Sequence, residues 1–578
     1  MRIINLGVLI VLNLILKNVQ SENLKLLILH NNDMHARFEE TSRTSGTCKD
    51  KSNCYGGFGR VLHVVREARK AAADGTGPPV LYLNAGDTYT GTSWFSVHKW
   101  KIAADFMNLL QPDVATFGNH DFDYGIAGLV PFLNAVNFPI IAANLDFVKE
   151  PEMLKTNVTK SYVLVVSGFK IGVIGYLTPD TVEQSSSENV IFYDEIETVR
   201  EESERLDKEG VKIIIALGHS GYEVDQNLAR EVPLVDVVVG GHSNTFLWNG
   251  PKPDLEEVSG PYPTIVLQDN GKQVPVVQAY AHTKYMGRLH LEFNEVGDLI
   301  AYGGEPLVLN RTVPEDPVAL NLLEKYRPAV DAIRTEIVGK SLVDLNGNMS
   351  HCRLYECNYA NFVTDALIAS HLSSYQGKYW TDAPIAFINA GTIRRGIRKK
   401  SDGSVTKSDI YGTIPFEEPL YSMSLTGTDL LETLEIGVRG TGDASSGEII
   451  HGSGLMYKYN LGKKVGSRIS DVKIRCGSCK VPRFDSLRLN ATYKIVTTAF
   501  LSKGGDGHTV LRDKGYNKTL ETTSNWDVII WYLQKMSPIY PQEEGRLILV
   551  TNSTGAASMY ISVIFIFSTI VPAFNLNY

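Results

Sequence analysis

"KIIIALGHS", residues 212–220, is the stretch from which the fold is read. Its apolar residues follow one another without a polar break, too few for an ordinary helix and lacking the alternation of a half-exposed strand, so the stretch reads as a strand buried on both faces. The run stops at Gly218 and hands over to His219. The same order of apolar run, small residue and polar residue recurs in "LKLLILHNNDMH" (24–35), "PVLYLNAGD" (79–87), "VATFGNHDFD" (114–123) and "VDVVVGGHSN" (235–244). Two further runs, "PIIAANL" (139–145) and "KIGVIGYL" (170–177), complete the series. Stretches of helical period lie between the runs, and this alternation predicts a layered α/β domain on a parallel sheet.

In a parallel sheet the carboxyl ends of the strands lie along one edge, where residues distant in sequence meet in a crevice. Five runs would deliver Asp33 and His35, Asp87, Asn119 with His120 and Asp123, His219, and His242 with Asn244 to that edge. A single histidine after a strand is ordinarily a surface or core group; the coincidence of five strand ends is what points to a site. His30, His63, His98 and His290 lack this setting and are read as structural. Mixed imidazole and oxygen donors suit divalent ions such as zinc or manganese and are too nitrogen-rich for a calcium cage. The donors exceed what one four-coordinate ion with open positions needs, so two ions about 3.5–4 Å apart, sharing a carboxylate, account for them. Asp87 is the candidate bridge. Asn119 suits a ligand, which leaves His120 to face the substrate while Asp123 fixes its tautomer and favours its protonated form. Ions at such a site supply a nucleophile at neutral pH, and an imidazolium stabilises charge developing on a phosphoryl group. The chemistry expected is phosphoester hydrolysis.

A chain of 578 residues with 43% hydrophobic and 21% charged residues is globular and too long for one core. Its net charge of -8 excludes a nucleic-acid footprint, which the short basic run "RRGIRKK" (394–400) does not reverse. Residues 1–21 carry one Arg before an apolar run and a small Ser21, the layout of a signal peptide, with the mature chain expected from Glu22. The first domain is expected over 22–317, a charged amphipathic helix over 318–340 as connector, and a second α/β region over 341–550. The tail 551–578 holds the small-residue stretch "NSTGAAS" and an apolar run broken by Pro572, which fits a glycosylphosphatidylinositol signal attached at Asn552 or Ser553. A secreted chain with an odd tail is the alternative. The cysteines fall in near pairs, Cys48 with Cys54, Cys352 with Cys357 and Cys476 with Cys479, and nearest-neighbour disulfides are the simplest reading, although spacing leaves other connectivities open. For "CGSC" (476–479) half a zinc ribbon or a redox motif is the alternative, and no second CxxC exists to complete a ribbon. Sequons at Asn157, Asn310, Asn348, Asn490, Asn517 and Asn552 fit a glycosylated extracellular protein.

Together, "NNDMHARF", "NAGDTYTGT", "GNHDFDYG", "GHSGYEVD" and "GGHSNTFL" resemble the metallophosphoesterase domain of the 5′-nucleotidase family, and the resemblance spans 24–550. It implies an N-terminal layered α/β metallophosphoesterase domain and a C-terminal α/β nucleotide-binding domain joined by a connecting helix. It implies one metal on Asp33, His35, Asp87 and Asn244 and a second on Asp87, Asn119, His219 and His242, with His120 and Asp123 as catalytic dyad and zinc as the ion. In the second region "HCRLYECNYAN" resembles the segment whose arginine, here Arg353, binds the nucleotide, and "FINAGTIRRG" aligns Asn389 and Arg394 with the same site. "IPFEEPL" and "AFLSKGGDGH" place Phe416 and Phe500 where two rings sandwich the base, and Asp506 where a carboxylate takes the ribose hydroxyls. A lone Phe is more often core, and only the motifs lift these two. Stacking of a base on aromatic faces and arginine–phosphate pairing are consistent with such a site. The resemblance also implies a cleft closing between rotating domains and a homodimer formed through the second domain.

The chain departs from the family in three places. Ala390 adds a methyl where Asn-Gly-Gly is frequent, Glu417 and Glu418 add charge beside Phe416, and the cysteines of a fourth disulfide are missing. The reading is an extracellular 5′-nucleotidase, secreted or lipid-anchored, converting AMP to adenosine and phosphate. An apyrase cleaving ATP and ADP is the alternative on the same scaffold, and a non-catalytic nucleotide-binding or platelet- or fibrinogen-directed protein is the alternative of another class.

Overall fold

The computed structural model describes residues 23–48, 50–440 and 447–551. The expected leader and the anchor-like tail from Asn552 onward lie outside the described residues. Among the described residues no helix is long and apolar enough to cross a membrane.

The apolar runs form buried strands. β1 (Leu24–Asn31), β2 (Val80–Ala85), β3 (Val114–Thr116) and β4 (Ile140–Ile141) lie side by side in parallel. A second parallel set consists of β5 (Phe169–Leu177), β6 (Ile213–His219), β7 (Val237–Val239) and β8 (Gln273–Val277). Where the sequence predicted one sheet, the structure stacks two face to face. Leu26, Ile28, Leu83 and Val114 of the first meet Val173, Ile215, Leu217 and Val239 of the second in a shared core. The alternate residues Leu27 and Leu29 point the other way, under α1 (Phe58–Ala73), α2 (Trp100–Leu110) and α3 (Gly125–Ala135). The far face of the second sheet lies under α4 (Glu195–Lys208) and α5 (Tyr222–Glu231). A continuous apolar run reports cover on both faces but not whether the cover is helix or sheet, so the second sheet was not legible from it. Beside β1 lies β9 (Tyr285–Phe293), which returns from far along the chain and runs antiparallel to it, from Leu24 opposite Phe293 to His30 opposite Gly287, with the strand Leu299–Gly304 beyond it.

α6 (Pro317–Thr335) opens with Asp316 accepting the Val318 N–H and with Pro at its first position, a strong start. Expected as a connector, it buries one side in the first domain's core and also meets the second domain's helix Lys407–Thr413. Ala319, Leu323 and Val330 are buried there. Arg327 and Arg334 both pair with Glu39, at 3.0 and 2.6 Å, while each lies over the Trp94 ring at 5.4 Å. The chain crosses over after Thr335, where the strand Ile337–Lys340 pairs with Ser404–Thr406.

The second region is built on β10 (Ile385–Asn389), β11 (Leu420–Thr426), β12 (Ile450–Ser453), β13 (Thr492–Thr498) and β14 (Tyr516–Thr522), in the order β12–β10–β13–β11–β14. β10 and β13 are parallel and the other neighbours antiparallel. α7 (Asn358–Ser374) and α8 (Asn525–Met536) cover one face. The disulfides join the nearest neighbours, Cys48–Cys54, Cys352–Cys357 and Cys476–Cys479, so the sulfurs of "CGSC" hold each other. Asn157, Asn348, Asn490 and Asn517 are exposed and Asn310 is half-buried.

Candidate active site

The turns after β1, β2, β3, β6 and β7 meet at the carboxyl ends of the stacked sheets. Here the backbone is contorted. φ is 49° at Asp33, 45° at His35, 55° at Asp87, 77° at His242 and 53° at Asn244. A non-glycine residue in this region costs on the order of 1–2 kcal/mol, and such strain collects where a side chain must be aimed. A glycine makes the approach of two turns feasible: a Cβ on Gly118 would lie 2.0 Å from Asp87 Oδ1.

Asp87 sits in the middle. Its Oδ2 is 3.5 Å from His35 Nε2 and 3.1 Å from His219 Nε2, and its Oδ1 accepts the His120 N–H at 2.9 Å. Asp33 Oδ1 lies 3.8 Å from both His35 Nε2 and His219 Nε2, while its Oδ2 accepts the His242 N–H at 3.0 Å. His219 donates from Nδ1 to the Ala85 carbonyl at 2.7 Å, which leaves Nε2 buried without a hydrogen-bond partner and aimed at the carboxylates. His242 Nδ1 is 3.0 Å from Asn119 Oδ1. Asn244 stands at the exposed rim of the same cavity.

The carboxylates and imidazoles of this cluster shift one another's charge. Burial alone would discharge His219, but Asp87 and Asp33 outweigh it and push the imidazole up to about 10. Burial also opposes ionisation of Asp87, and His219, His120 and His35 overcome it, holding this carboxyl well below its usual range. Two buried carboxylates and an imidazole nitrogen lie within reach of one ion. The donor set fits divalent metals.

Beside this cluster His120 Nδ1 faces Asp123 Oδ1 and Oδ2 at 3.1 and 3.0 Å. Burial works against the charged form of His120, yet Asp123 and Asp87 raise its pKa. Its ring stacks on Phe416, 5.9 Å between centroids at 15°.

The second domain supplies the rest of a cavity of about 680 Å³ lined by all the candidate donors except the buried His219, together with Arg353, Asn389, Arg394, Phe416, Phe500 and Asp506. Phe416 and Phe500 are only partly buried and line the cavity, and Phe500 also packs against the second domain's core. Asn389 Nδ2 donates to Asp506 Oδ2 at 2.7 Å and Thr392 donates to Asn389 Oδ1 at 2.7 Å, so the carboxylate is held in place on a residue of φ 51°. Burial and neighbouring Arg394 lower Arg353 to about 10, as expected of a cationic pocket facing an anion.

Several supporting residues were not found from sequence. Asp121 Oδ1 accepts the N–H groups of Thr88 and Tyr89, both at 3.1 Å, and its Oδ2 accepts Gly118 N–H at 2.9 Å, stapling the Asp87 turn to the Asn119 turn. Buried Asp225 accepts from Tyr176 and Gln278, both at 2.7 Å, and Gln278 in turn binds the Gly241 carbonyl and the Thr245 N–H below His242. Only the position of Asp121 and Asp225 inside the quoted motifs signalled them. Two expected departures resolve differently. Ala390 is buried in the second domain's core and does not line the cavity. Glu418 accepts the Phe500 N–H at 2.8 Å, and burial pushes it up to about 7, so it positions the ring instead of adding free charge; Glu417 pairs with Lys99 of the first domain at 3.0 Å. His30 and His98 are structural as expected, bonded to Tyr262 Oη and the Tyr326 carbonyl, both at 2.8 Å.

Two family models match the chain: calcineurin-like phosphoesterase over residues 26–246 and 5′-nucleotidase, C-terminal domain, over 337–513. A 5′-nucleotidase of Homo sapiens is 38% identical over 92% of this chain and 92% of its own length. An apyrase of Tabanus yao is 38% identical over 91% of this chain and 94% of its own. The crystal structure of a 5′-nucleotidase precursor from Thermus thermophilus superposes with a TM-score of 0.78 at 33% identity, covering 91% of this chain and 99% of that one.

Proposed function

The chain belongs to the 5′-nucleotidase family and is a metal-dependent nucleotide phosphohydrolase; from that premise we propose that it hydrolyses AMP to adenosine and phosphate. The observation that carries this reading is the convergence of a carboxylate–imidazole cluster, two arginines and two aromatic faces on one cavity. We assign one divalent ion to Asp33, His35, Asp87 and Asn244, a second to Asp87, Asn119, His219 and His242, and zinc as the ion. When bound, such ions supply a nucleophile at neutral pH and neutralise phosphate charge. His219, pinned through Nδ1 to the Ala85 carbonyl, presents Nε2 in a fixed orientation. His120, held by Asp123, keeps a proton at Nε2 facing the phosphoryl group and stabilises charge that develops there. Arg353 and Arg394 draw the phosphate by charge-assisted pairing. The base stacks between Phe416 and Phe500, and Asp506, oriented by Asn389, accepts from the ribose hydroxyls.

The test is phosphate release from purified protein with AMP, ADP and ATP in parallel, with and without zinc and a chelator. Release from AMP alone supports the nucleotidase reading. Release from ATP and ADP with AMP accumulating supports the second reading, an apyrase, as the Tabanus yao relative is named. Silence with all three after metal loading leaves the non-catalytic binding alternative. The same proposal places the protein outside the cell, secreted or held by a glycosylphosphatidylinositol anchor, as a homodimer. Three closed disulfides and four exposed sequon asparagines support the location.

A further inference from the structure

The catalytic dyad does not end at Asp123. Ser185 Oγ donates to Asp123 Oδ1 at 2.9 Å, so that the carboxylate is held by a second donor besides His120 Nδ1. A carboxylate held by the imidazole alone is free to rotate about its own axis and take the ring with it; a second donor fixes its plane. Ser185 belongs to a loop that grips the dyad turn again three residues later, where Glu188 Oε1 accepts the Ile126 N–H at 2.9 Å. That oxygen also lies 2.5 Å from where a Cβ on Gly125 would be, so the turn and the loop are in direct contact.

The other face of this loop belongs to the second domain. The short helix Thr181–Gln184, which ends directly before Ser185, packs against Gly505–Gly507. A Cβ on Gly505 would lie 2.5 Å from the Phe500 ring, so that glycine turn backs one wall of the aromatic site and carries Asp506. Glu183, on the same helix, reaches Arg439 of the second domain at 3.6 Å. One segment of a few residues therefore touches the dyad through Ser185 and Glu188 and the nucleoside site through its helix.

Resting on the nucleotide phosphohydrolase reading above, we propose that Ser185 is a positioning residue for the His120–Asp123 dyad, and that its loop ties the dyad's alignment to the docking of the second domain. Interactions that align groups only when the remote part of a substrate is in place act on kcat more than on KM. Loss of one hydrogen bond to a charged group corresponds to about tenfold in rate.

The experiment compares wild type with Ser185→Ala and Ser185→Thr, using whichever of AMP, ADP or ATP the wild type turns over, so that substrate choice is judged on the wild type alone and Ser185 on the variant-to-wild-type ratio. Ser185→Ala is expected to lower kcat about tenfold with KM within about twofold, at unchanged bound metal and unchanged melting temperature, and Ser185→Thr to restore most of the loss. An unchanged kcat in Ser185→Ala, a loss confined to KM, a fall in metal content or melting temperature that accounts for the defect, or a Ser185→Thr variant as slow as Ser185→Ala would each overturn the proposal.

Discussion

His120 stands where the candidate donors, Asp123 and the aromatic lining of the second domain meet: its N–H goes to Asp87, its Nδ1 to Asp123 and its ring to Phe416. Replacing it by Ala removes a proton donor without removing a metal ligand. We therefore expect kcat to fall by about 10²–10⁴ with bound metal, measured by elemental analysis, unchanged. Asp121 presents the opposite case, a residue that lies outside the cavity lining and yet holds three backbone N–H groups of the turns that carry Asp87 and Asn119. Asp121→Ala leaves those donors buried and unpaired, at about 1–3 kcal/mol each when nothing replaces the carboxylate. A lowered melting temperature together with weakened metal retention in dialysis is the expected result, whereas His120→Ala should leave both intact.

Among the elements, α6 and α7 show how charge and packing divide the work of holding the domains. Leu323 on α6 is buried in the first domain's core, and Leu323→Ala should destabilise that domain by about 2–5 kcal/mol in chemical unfolding. On α7, His371 lies between Glu521 of β14 and Asp382 ahead of β10, at 2.9 and 2.7 Å, with Lys494 of β13 on the far side of Asp382 at 2.9 Å and the Tyr375 ring stacked beside it. The hydrogen bond to Glu521, with that to Asp382, raises His371 above its ordinary 6.5 despite burial. A folded pKa above the unfolded one means that the stabilisation is complete below pH 6.5 and is lost as pH rises through the raised value. Its partners Asp382 and Glu521 are lowered, burial being outweighed by their hydrogen bonds to Lys494 and His371, so their share is lost as pH falls through those lowered values. The difference in melting temperature between wild type and His371→Gln should accordingly be largest near neutral to mildly acidic pH and shrink on the alkaline side; a pH-independent difference would contradict the ion-pair account.

For the molecule as a whole, the carboxylate–imidazole cluster belongs to the first domain and the arginine–aromatic lining to the second, and side chains of both join at the cavity mouth. Lys99 is one, paired with Glu417 while lying over the Tyr124 ring at 4.3 Å and the Trp526 ring at 5.1 Å. Stripping divalent metal should abolish phosphate release and lower the melting temperature, because ions that bind only the folded state stabilise it. Calorimetry of the chelated protein, with zinc or manganese added back, checks both effects. Since the candidate donors all lie in the first domain, its transition should move more than that of the second.

Most of the candidate site was legible along the chain. Apolar runs ending in Gly-His, Gly-Asp or Gly-Asn-His-Asp indicated that strands would bring candidate donors, His120 and Asp123 to one edge, because strand burial and strand-end exposure are local properties written in a few consecutive residues. The aromatic and arginine residues of the second domain were legible only through their motifs, since a lone Phe carries no sign of whether it faces a core or a cavity. What tertiary structure alone decided is everything that depends on two segments meeting: the stacking of two sheets where one was expected, the burial of α6 in the first domain's core, the turning of Ala390 into a core, and the use of Glu418 to hold Phe500. The same holds for the Asp121 carboxylate and the Ser185 hydroxyl, which acquire their roles only when the chain brings the turn at residue 88 and the carboxylate at residue 123 against them. A sequence reports which groups a segment offers; which of them are answered is settled by packing, where an unpaired buried donor or acceptor is costly enough to select one arrangement of turns over the others.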